Sequence, residues 1–422
     1  MNTPPTKSYS KKKRLNRRII LPFEEENYVK LVESALNFRQ FLDEMIVQYP
    51  ELFPENIGQG YRMKDIYYSK KLGLPIRRLE ICNVAYSVRP SFVLPYLVSK
   101  SKDVENALFL RKFNVPYWAL AKVFGKSHSF YYRIESSLGR NSLVGTTIKS
   151  PSLLPEHCVA DEKFVSIKGK RAYLATTVSN ECILGVELAM NADEKDLGKA
   201  YSVFKEEAQN VDPDYNPKSV NVDGWKSTTN AWKILFPSIL VIRCFLHIYI
   251  KLRACSKKKY QQIFSECAEK LWDCYKAITK ESFLEQVRAL YAWALEKEDF
   301  PETMLKPLST LYSNKEDFAA AYDFEGAKRT SNMVDRKMQR LEVHLKNTKE
   351  FHGTIESANL NIRGWALIQN FAPSNPYTVQ KYKGVSSPAQ RLNGFSYHSN
   401  WLQNLLTSAS LGGFRPPQNP LQ

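Results

Sequence analysis

The rhythm of apolar positions changes several times along this chain, and the changes divide it. From about residue 25 to 50 the spacing is that of an amphipathic helix ending before Pro50. The stretch on to about 100 is mixed, punctuated by Pro54, Gly58, Gly60, Pro75 and Pro90, and assigns itself no role. Residues 103–138 predict three short helices. Val104, Ala107, Leu108 and Arg111 begin the first. Tyr117, Leu120, Ala121 and Phe124, at i, i+3, i+4 and i+7, mark a second behind Pro116, whose missing N–H would be unpaired at a first helical position anyway. Gly125 breaks that helix, Ser127 can cap the next, and Phe130, Ile134 and Leu138 form its buried side.

From 157 to 250 the pattern becomes strand-like. His157 to Ile167 reads as one strand, Arg171 to Val178 as a second after a turn at Gly169, and Cys182 to Ala189 as a third after Ser179 and Asn180. A helix follows with Leu197, Ala200, Tyr201, Phe204 and Ala208 on one face. Ser219 to Val222 is a short strand, residues 226–235 a helix, and Ser238 to Phe245 a wholly apolar strand of the kind buried in parallel sheets. Residues 251–327 look all-helical. Ile263, Phe264, Cys267, Leu271 and Cys274 share one face, and Ser282 with Glu285 makes a capping box for a further helix. Helical spacing resumes at Asn332. From about 373 Pro, Ser, Asn and Gly accumulate, and Gly412 to Gln422 reads as a loose tail.

Charge then narrows the partner. Sixty Lys and Arg against 43 Asp and Glu leave a net charge of +17 over 422 residues, which favours a polyanion, because a basic surface gains affinity by displacing counterions from phosphates. The N-terminal arm concentrates Lys11, Lys12, Lys13, Arg14, Arg17 and Arg18 without an acid, suited to phosphate contact that reads no sequence. Beside double-stranded DNA, the helices at 103–138 fit a helix-turn-helix plan, in which the last would point Ser129, Tyr132, Arg133 and Ser136 at the major groove. Seven cysteines, an odd number without close spacing, read as free thiols in a reducing compartment. No run is long and apolar enough for a membrane helix and no apolar signal segment follows the basic N-terminus, so the expectation is a cytoplasmic protein with no membrane partner.

Three aspartates offer the chemistry. Asp161 lies in the first strand of the 157–250 region, and Asp223 directly follows the fourth. Three antiparallel strands, helix, strand, helix, strand is the order of a ribonuclease-H-like fold, an α/β fold in which those two strands are neighbours. A third carboxylate is expected from a later helix. Thr330-Ser331-Asn332 can cap one whose buried side is Val334, Met338, Leu341 and Leu345, with Asp335 beside that face in the first turn. Glu342 and Glu356 are its rivals, and Arg336, Lys337 and Arg340 bring positive charge for DNA phosphates. Carboxylates gathered from separate elements suit Mg²⁺ or Mn²⁺, which two-ion phosphoryl-transfer sites use to activate the attacking oxygen and stabilise the leaving one. Cys244 with His247 is a weak half-site for zinc, since no second pair follows at ligand spacing, and a buried thiol with a histidine at a helix start is preferred. Trp225, Trp232, Trp272 and Trp293 are assigned to the core.

Several segments together resemble bacterial insertion-sequence transposases of the acidic-triad superfamily. They are Arg89-Pro90-Ser91-Phe92, Leu138-Gly139-Arg140-Asn141-Ser142, Ala160-Asp161-Glu162-Lys163, Val222-Asp223-Gly224-Trp225, Cys244-Phe245-Leu246-His247, Thr330 to Arg336, Phe351-His352-Gly353, and Arg363-Gly364-Trp365-Ala366-Leu367 running into Asn370-Phe371. The resemblance spans about residues 50 to 377. It implies a DNA transposase that binds element ends as a homodimer or higher oligomer, and cuts and joins strands near the bacterial nucleoid. In such enzymes the acid three residues after the Asn of the Thr-Ser-Asn segment completes the triad, here Asp335. The resemblance also marks Cys244, His247 and His352 as possible auxiliaries. The divisions expected are a disordered basic arm over 1–24, a helical region over 25–148, a catalytic domain over 149–372 with a helical insertion at about 251–327, and an extension over 373–422. The competing expectations are a DNA-binding repressor derived from such an enzyme, which needs no aspartates, and a nuclease that cuts without joining.

Overall fold

A computed structural model describes residues 17–94, 99–256 and 258–414. Lys11, Lys12, Lys13 and Arg14 lie outside the described residues. The fold is mixed α/β, built on two mixed sheets joined by helices.

The N-terminal region is less helical than expected. Strand β1 (Arg18–Leu21) pairs in parallel with β4 (Val84–Pro90), and β2 (Arg62–Ser69) and β3 (Leu74–Ile81) complete a sheet of order β1-β4-β3-β2. So the end of the presumed arm is structured: Ile19, Ile20 and Leu21 are buried, Arg18 is half-buried in the strand, and Arg17 just before it is exposed. Helices α1 (Tyr28–Glu33) and α2 (Ala35–Gln48) cover this sheet, separated where Ser34 caps the second through its side chain.

Three helices follow at the predicted place, α3 (Glu105–Arg111), α4 (Tyr117–Phe124) and α5 (His128–Leu138). Gly125 closes α4 in the left-handed conformation, and Ser127 accepts the Phe130 N–H at 3.2 Å to open α5. Ile134 and Leu138 are buried as expected, Phe130 only half. The short α6 (Leu143–Thr147) is wholly buried.

The second sheet has the order β7-β6-β5-β8-β9. β5 (His157–Ile167), β6 (Lys170–Ser179) and β7 (Cys182–Ala189) form an antiparallel meander, while β8 (Ser219–Val222) and β9 (Leu240–Arg243) add in parallel beside β5. β9 is shorter than expected and mostly half-buried, as its edge position allows. Strand alternation sends the two faces of β5 into different cores. Val159, Val165 and Ile167 pack with α14 (Asn332–Thr348) and α15 (Ile355–Phe371), while Cys158 and Ala160 pack with α7 (Glu194–Gln209) and α8 (Lys226–Leu235).

The helical insertion begins earlier than residue 251. Helix α9 (Phe245–Cys255) starts directly after β9, and α10 (Gln261–Lys276), α11 (Lys280–Glu296), α12 (Glu302–Ser313) and α13 (Lys315–Ala319) complete a bundle with its own core. Trp232 is fully buried, and Trp225, Trp272 and Trp293 are half-buried.

The C-terminal extension is packed, while of the tail expected to be loose, Gly412 to Gln422, residues 415–422 lie outside the described residues. After α16 (Pro376–Lys381) and α17 (Pro388–Asn393), α18 (Trp401–Ser408) is buried over most of its length, and the chain to Gly413 stays buried. The Ser410 hydroxyl takes the Ile20 N–H at 3.1 Å and donates to the Leu52 carbonyl at 2.6 Å, fastening this extension to β1. Its polar side chains satisfy buried backbone groups.

Candidate active site

The register between β5 and β8 places the first two acids. Val159 lies opposite Asn221, and two further residues along each chain set Asp161 level with Asp223. Because side chains alternate, Asp161 shares the face of Val159, the side on which α14 packs, and Glu162 points the other way. Asp335 occupies the first turn of α14 on that same side. Each carboxylate is held by a local donor. Asp161 Oδ1 accepts the Glu162 N–H at 2.9 Å, Asp223 Oδ1 the Trp225 N–H at 2.6 Å, and Asp335 Oδ2 the Ser331 hydroxyl at 2.7 Å. Gly224, at φ 90°, gives the turn after Asp223 its left-handed residue.

Among the described residues, none of the three aspartates is paired with a Lys, Arg or His. The electrostatic consequence falls on Asp161. Burial pushes its carboxyl up to about 8, reinforced by the charges of Glu162, Asp223 and Asp335 against the pull of the Glu162 N–H. Glu162 is pushed up to about 7, chiefly by burial; the Tyr201 hydroxyl at 2.7 Å and the Thr228 hydroxyl at 2.6 Å bind its Oε1 and hold it partly back.

Cys244 and Ser331 tie the third acid to the sheet. The Cys244 thiol donates to Ser331 Oγ and receives the Ser331 N–H, both at 3.1 Å, while Ser331 Oγ holds Asp335. Cys244 is buried at the start of α9, where burial raises its thiol above the ordinary range. It is therefore a structural link between β9 and α14. His247 sits one turn into α9 with its Nδ1 buried and without a hydrogen-bond partner among the described residues. Burial depresses its pKa, although the charges of Asp223 and Asp335 pull the other way. It lines a cavity of about 340 Å³ with Asp223, Lys226, Arg243 and Lys251, between the sheet and the helical insertion.

The other residues singled out by sequence are distributed differently. Glu342 is claimed by Lys346 at 2.8 Å and Lys163 at 3.1 Å, which hold its carboxyl down at about 2. Glu356 is exposed in the first turn of α15. His352 is also exposed, and its neighbour Phe351 bridges to Ile167, six residues along β5 and so roughly 20 Å from Asp161. Neither joins the aspartates. Arg336 and Arg340 are exposed on α14.

The helix expected to read DNA is half committed to the interior. Tyr132 Oη shares a 2.7 Å hydrogen bond with Ser357 Oγ, and Ser136 Oγ accepts from Asn361 Nδ2 at 3.4 Å, so both face α15 rather than solvent. The cause is close helix packing: a Cβ on Gly139 would lie 1.9 Å from the Leu360 carbonyl oxygen, and one on Gly364 1.9 Å from that of Glu135. Ser129 and Arg133 remain exposed. The Arg363 to Phe371 segment is likewise structural. Arg363 pairs with Glu187 at 2.8 Å and with Glu207, and Asn370 bonds both backbone groups of Ile183.

Sequence reasoning missed Glu162, Tyr201, Thr228 and Ser331 as members of the site. Glu162 stood inside a recognised motif, and its neighbour's role concealed its own. Ser331 was read only as a cap of the helix that carries Asp335, and Tyr201 and Thr228 come from elements whose approach only the fold reveals.

As they stand, no three His, Cys, Asp or Glu side chains among the described residues are gathered closely enough to hold a metal ion. The donor set still fits one in kind, since three carboxylates without a cationic partner among the described residues are hard oxygen donors of the sort Mg²⁺ and Mn²⁺ take together with water and substrate phosphate. No protein-family model matches the chain, and no curated protein matches it in sequence. No helix among the described residues is long and apolar enough to cross a membrane.

Proposed function

We propose that the chain is a DNA transposase whose second sheet is a ribonuclease-H-like core. The strand order β7-β6-β5-β8-β9, with an antiparallel meander followed by two parallel strands, supports that core. One observation carries the activity: Asp161, Asp223 and Asp335 face one side of the sheet from β5, the end of β8 and the first turn of α14, without a cationic partner among the described residues, in a chain of net charge +17. Mutual repulsion and burial make this arrangement costly in the free protein, and a cation from solution would relieve it.

Asp161, Asp223 and Asp335 would hold Mg²⁺ or Mn²⁺, which when bound would relieve charge on the scissile phosphate. The protein's own part is positional. The sheet sets Asp161 and Asp223 level with one another, and Cys244 through Ser331 holds Asp335 on their side of the sheet. Glu162 is restrained by Tyr201 and Thr228 on the opposite face, and its charge adds to the field at Asp161. Ser129 and Arg133 on α5, Arg17 before β1, and Arg336 and Arg340 on α14 are exposed and would contact duplex DNA.

The test is a joining reaction. Full-length protein, a duplex with a free 3′-hydroxyl and a supercoiled plasmid are incubated with Mg²⁺ or Mn²⁺, and linked products are counted. Asp161→Asn, Asp223→Asn and Asp335→Asn should each abolish joining and nicking while leaving duplex binding intact. Cutting without joining in the wild type would leave a nuclease. Undiminished activity in all three variants would remove the catalytic reading altogether and leave a DNA-binding protein.

A further inference from the structure

A second polar cavity, of about 390 Å³, lies round α14 from the aspartates. Five cations line it, Lys112, Arg336, Lys337, Arg340 and Arg391, against the single carboxylate of Glu181. They come from three parts of the chain: the end of α3, the helix α14, and α17 in the C-terminal extension. At 100° per residue, the α14 members are centred about two-fifths of a turn from Asp335, so one helix separates the two sites.

The cations are not equally occupied. Lys112 Nζ donates to the carbonyls of Ala372 at 2.5 Å and Pro373 at 2.6 Å, Arg391 bonds Glu181 at 2.6 Å, and Arg340 reaches Gln369 at 3.2 Å. Lys337 and Arg336 have no hydrogen bond or ion pair among the described residues. Burial, then the neighbouring positive charges, lowers Lys112 to about 7; Lys337 is lowered to about 8, by burial first and by Arg340 and Arg391 among its neighbours. Five cations collected round a cavity with one carboxylate, itself held by Arg391, repel one another, and the component that would balance them is an anion with several acceptor oxygens.

We infer that this cavity binds a phosphate group of a nucleic-acid strand, one helix-width from the aspartates, with Lys337 and Arg336 as its direct ligands and Lys112, Arg340 and Arg391 supplying field. The assignment to a strand rests on the proposed function. The pocket itself rests on its own residues. Such a subsite would fix the distance between a backbone phosphate and the aspartates, and so which bond is presented to them.

The probe is inorganic pyrophosphate, titrated calorimetrically into the full chain in metal-free buffer at constant ionic strength in chloride. Saturable binding is expected, and Lys337→Met should weaken it about tenfold or more by removing a charge-assisted hydrogen bond. The same substitution should leave the melting temperature of the free protein equal or higher, because the stem stays buried while a repelled charge goes; that separates lost binding from misfolding. A saturating duplex oligonucleotide should weaken pyrophosphate binding by at least tenfold. Absence of saturable binding to the wild type, or equal binding to Lys337→Met, overturns the pocket. Pyrophosphate affinity unchanged by bound duplex overturns its assignment to a strand. Neither titration involves turnover, so inactive aspartates would count against the proposed function and leave the pocket standing. A wild type that binds pyrophosphate but no duplex overturns both the strand assignment and the proposed function.

Discussion

Replacing Asp161 by Asn should stabilise the free protein, increasingly so as pH rises. In the unfolded chain the carboxyl titrates near 3.8, and in the fold it is pushed up to about 8 by burial first and by neighbouring carboxylates second. A carboxyl raised on folding contributes stability that is complete below the unfolded value and lost as pH climbs through the folded one. Asn carries no such dependence. The stability difference between variant and wild type should therefore widen by at most about 4 kcal/mol between pH 5 and pH 9. Glu162, raised to about 7, is present in both proteins and largely cancels. The assay is thermal unfolding of both proteins across that range in metal-free buffer, where the two melting temperatures should separate by several degrees at the alkaline end. Mg²⁺ added at pH 8 should raise the wild type and leave the variant unmoved, since a metal needs the ionised ligand. A difference that stays flat from pH 5 to pH 9 would refute the burial argument. A widening difference with no response to Mg²⁺ would keep the buried carboxyl and remove the metal.

Further expectations follow from single contacts. Ser331→Ala removes the hydroxyl that holds Asp335 and should slow strand cleavage about 10- to 100-fold with duplex affinity unchanged, as measured by single-turnover cleavage beside anisotropy. Gly364→Ala drives a methyl into the Glu135 carbonyl and should cost about 3 kcal/mol or more, read as a lowered melting temperature. Arg363→Met leaves Glu187 and Glu207 buried without their partner and should cost about 3–5 kcal/mol by the same measurement. Arg133→Ala should weaken binding to element ends more than to random duplex, whereas Tyr132→Phe, altering a group already bonded to Ser357, should leave the ratio unchanged in the same anisotropy assay.

What the sequence made legible was periodic and local. The meander of β5 to β7, the capped start of α5 and the amphipathic α14 all follow from spacing and capping that a few neighbouring residues specify. The N-terminal sheet was missed because β2 and β3 alternate weakly, with charged residues such as Arg62, Lys64, Asp65, Arg77 and Arg78 among the apolar ones, and Arg62 and Arg78 are satisfied only across the strand pair, by Glu80 and Asp65. The packing of the C-terminal extension was not foreseen for a related reason. Its serines and asparagines look like loop residues until Ser410, Asn393 and Asn404 are seen bonding backbone groups of distant or neighbouring segments. Long-range satisfaction of polar groups leaves no short-range signature.

The acids and the cations of this chain differ in legibility for a physical reason. A basic surface can be formed from many interchangeable positions, so its composition shows while its layout does not; Tyr132 and Ser136 were assigned outward on helix geometry alone and turned inward because Gly139 and Gly364 let two helices touch. A carboxylate cluster has few workable positions. Asp161 must share a strand face with the helix that brings Asp335, and Asp223 must end the parallel neighbour at the same level. Strand alternation and strand order leave little freedom in either choice. Basic residues are present close by, yet they are occupied or pointed elsewhere: Lys163 goes to Glu342, Arg243 to Asp317, and Lys337 to the cavity round α14. With a net charge of +17 the chain had ample means to neutralise the three aspartates internally, yet among the described residues none of them has a cationic partner, which leaves their oxygens open to a cation that arrives from solution.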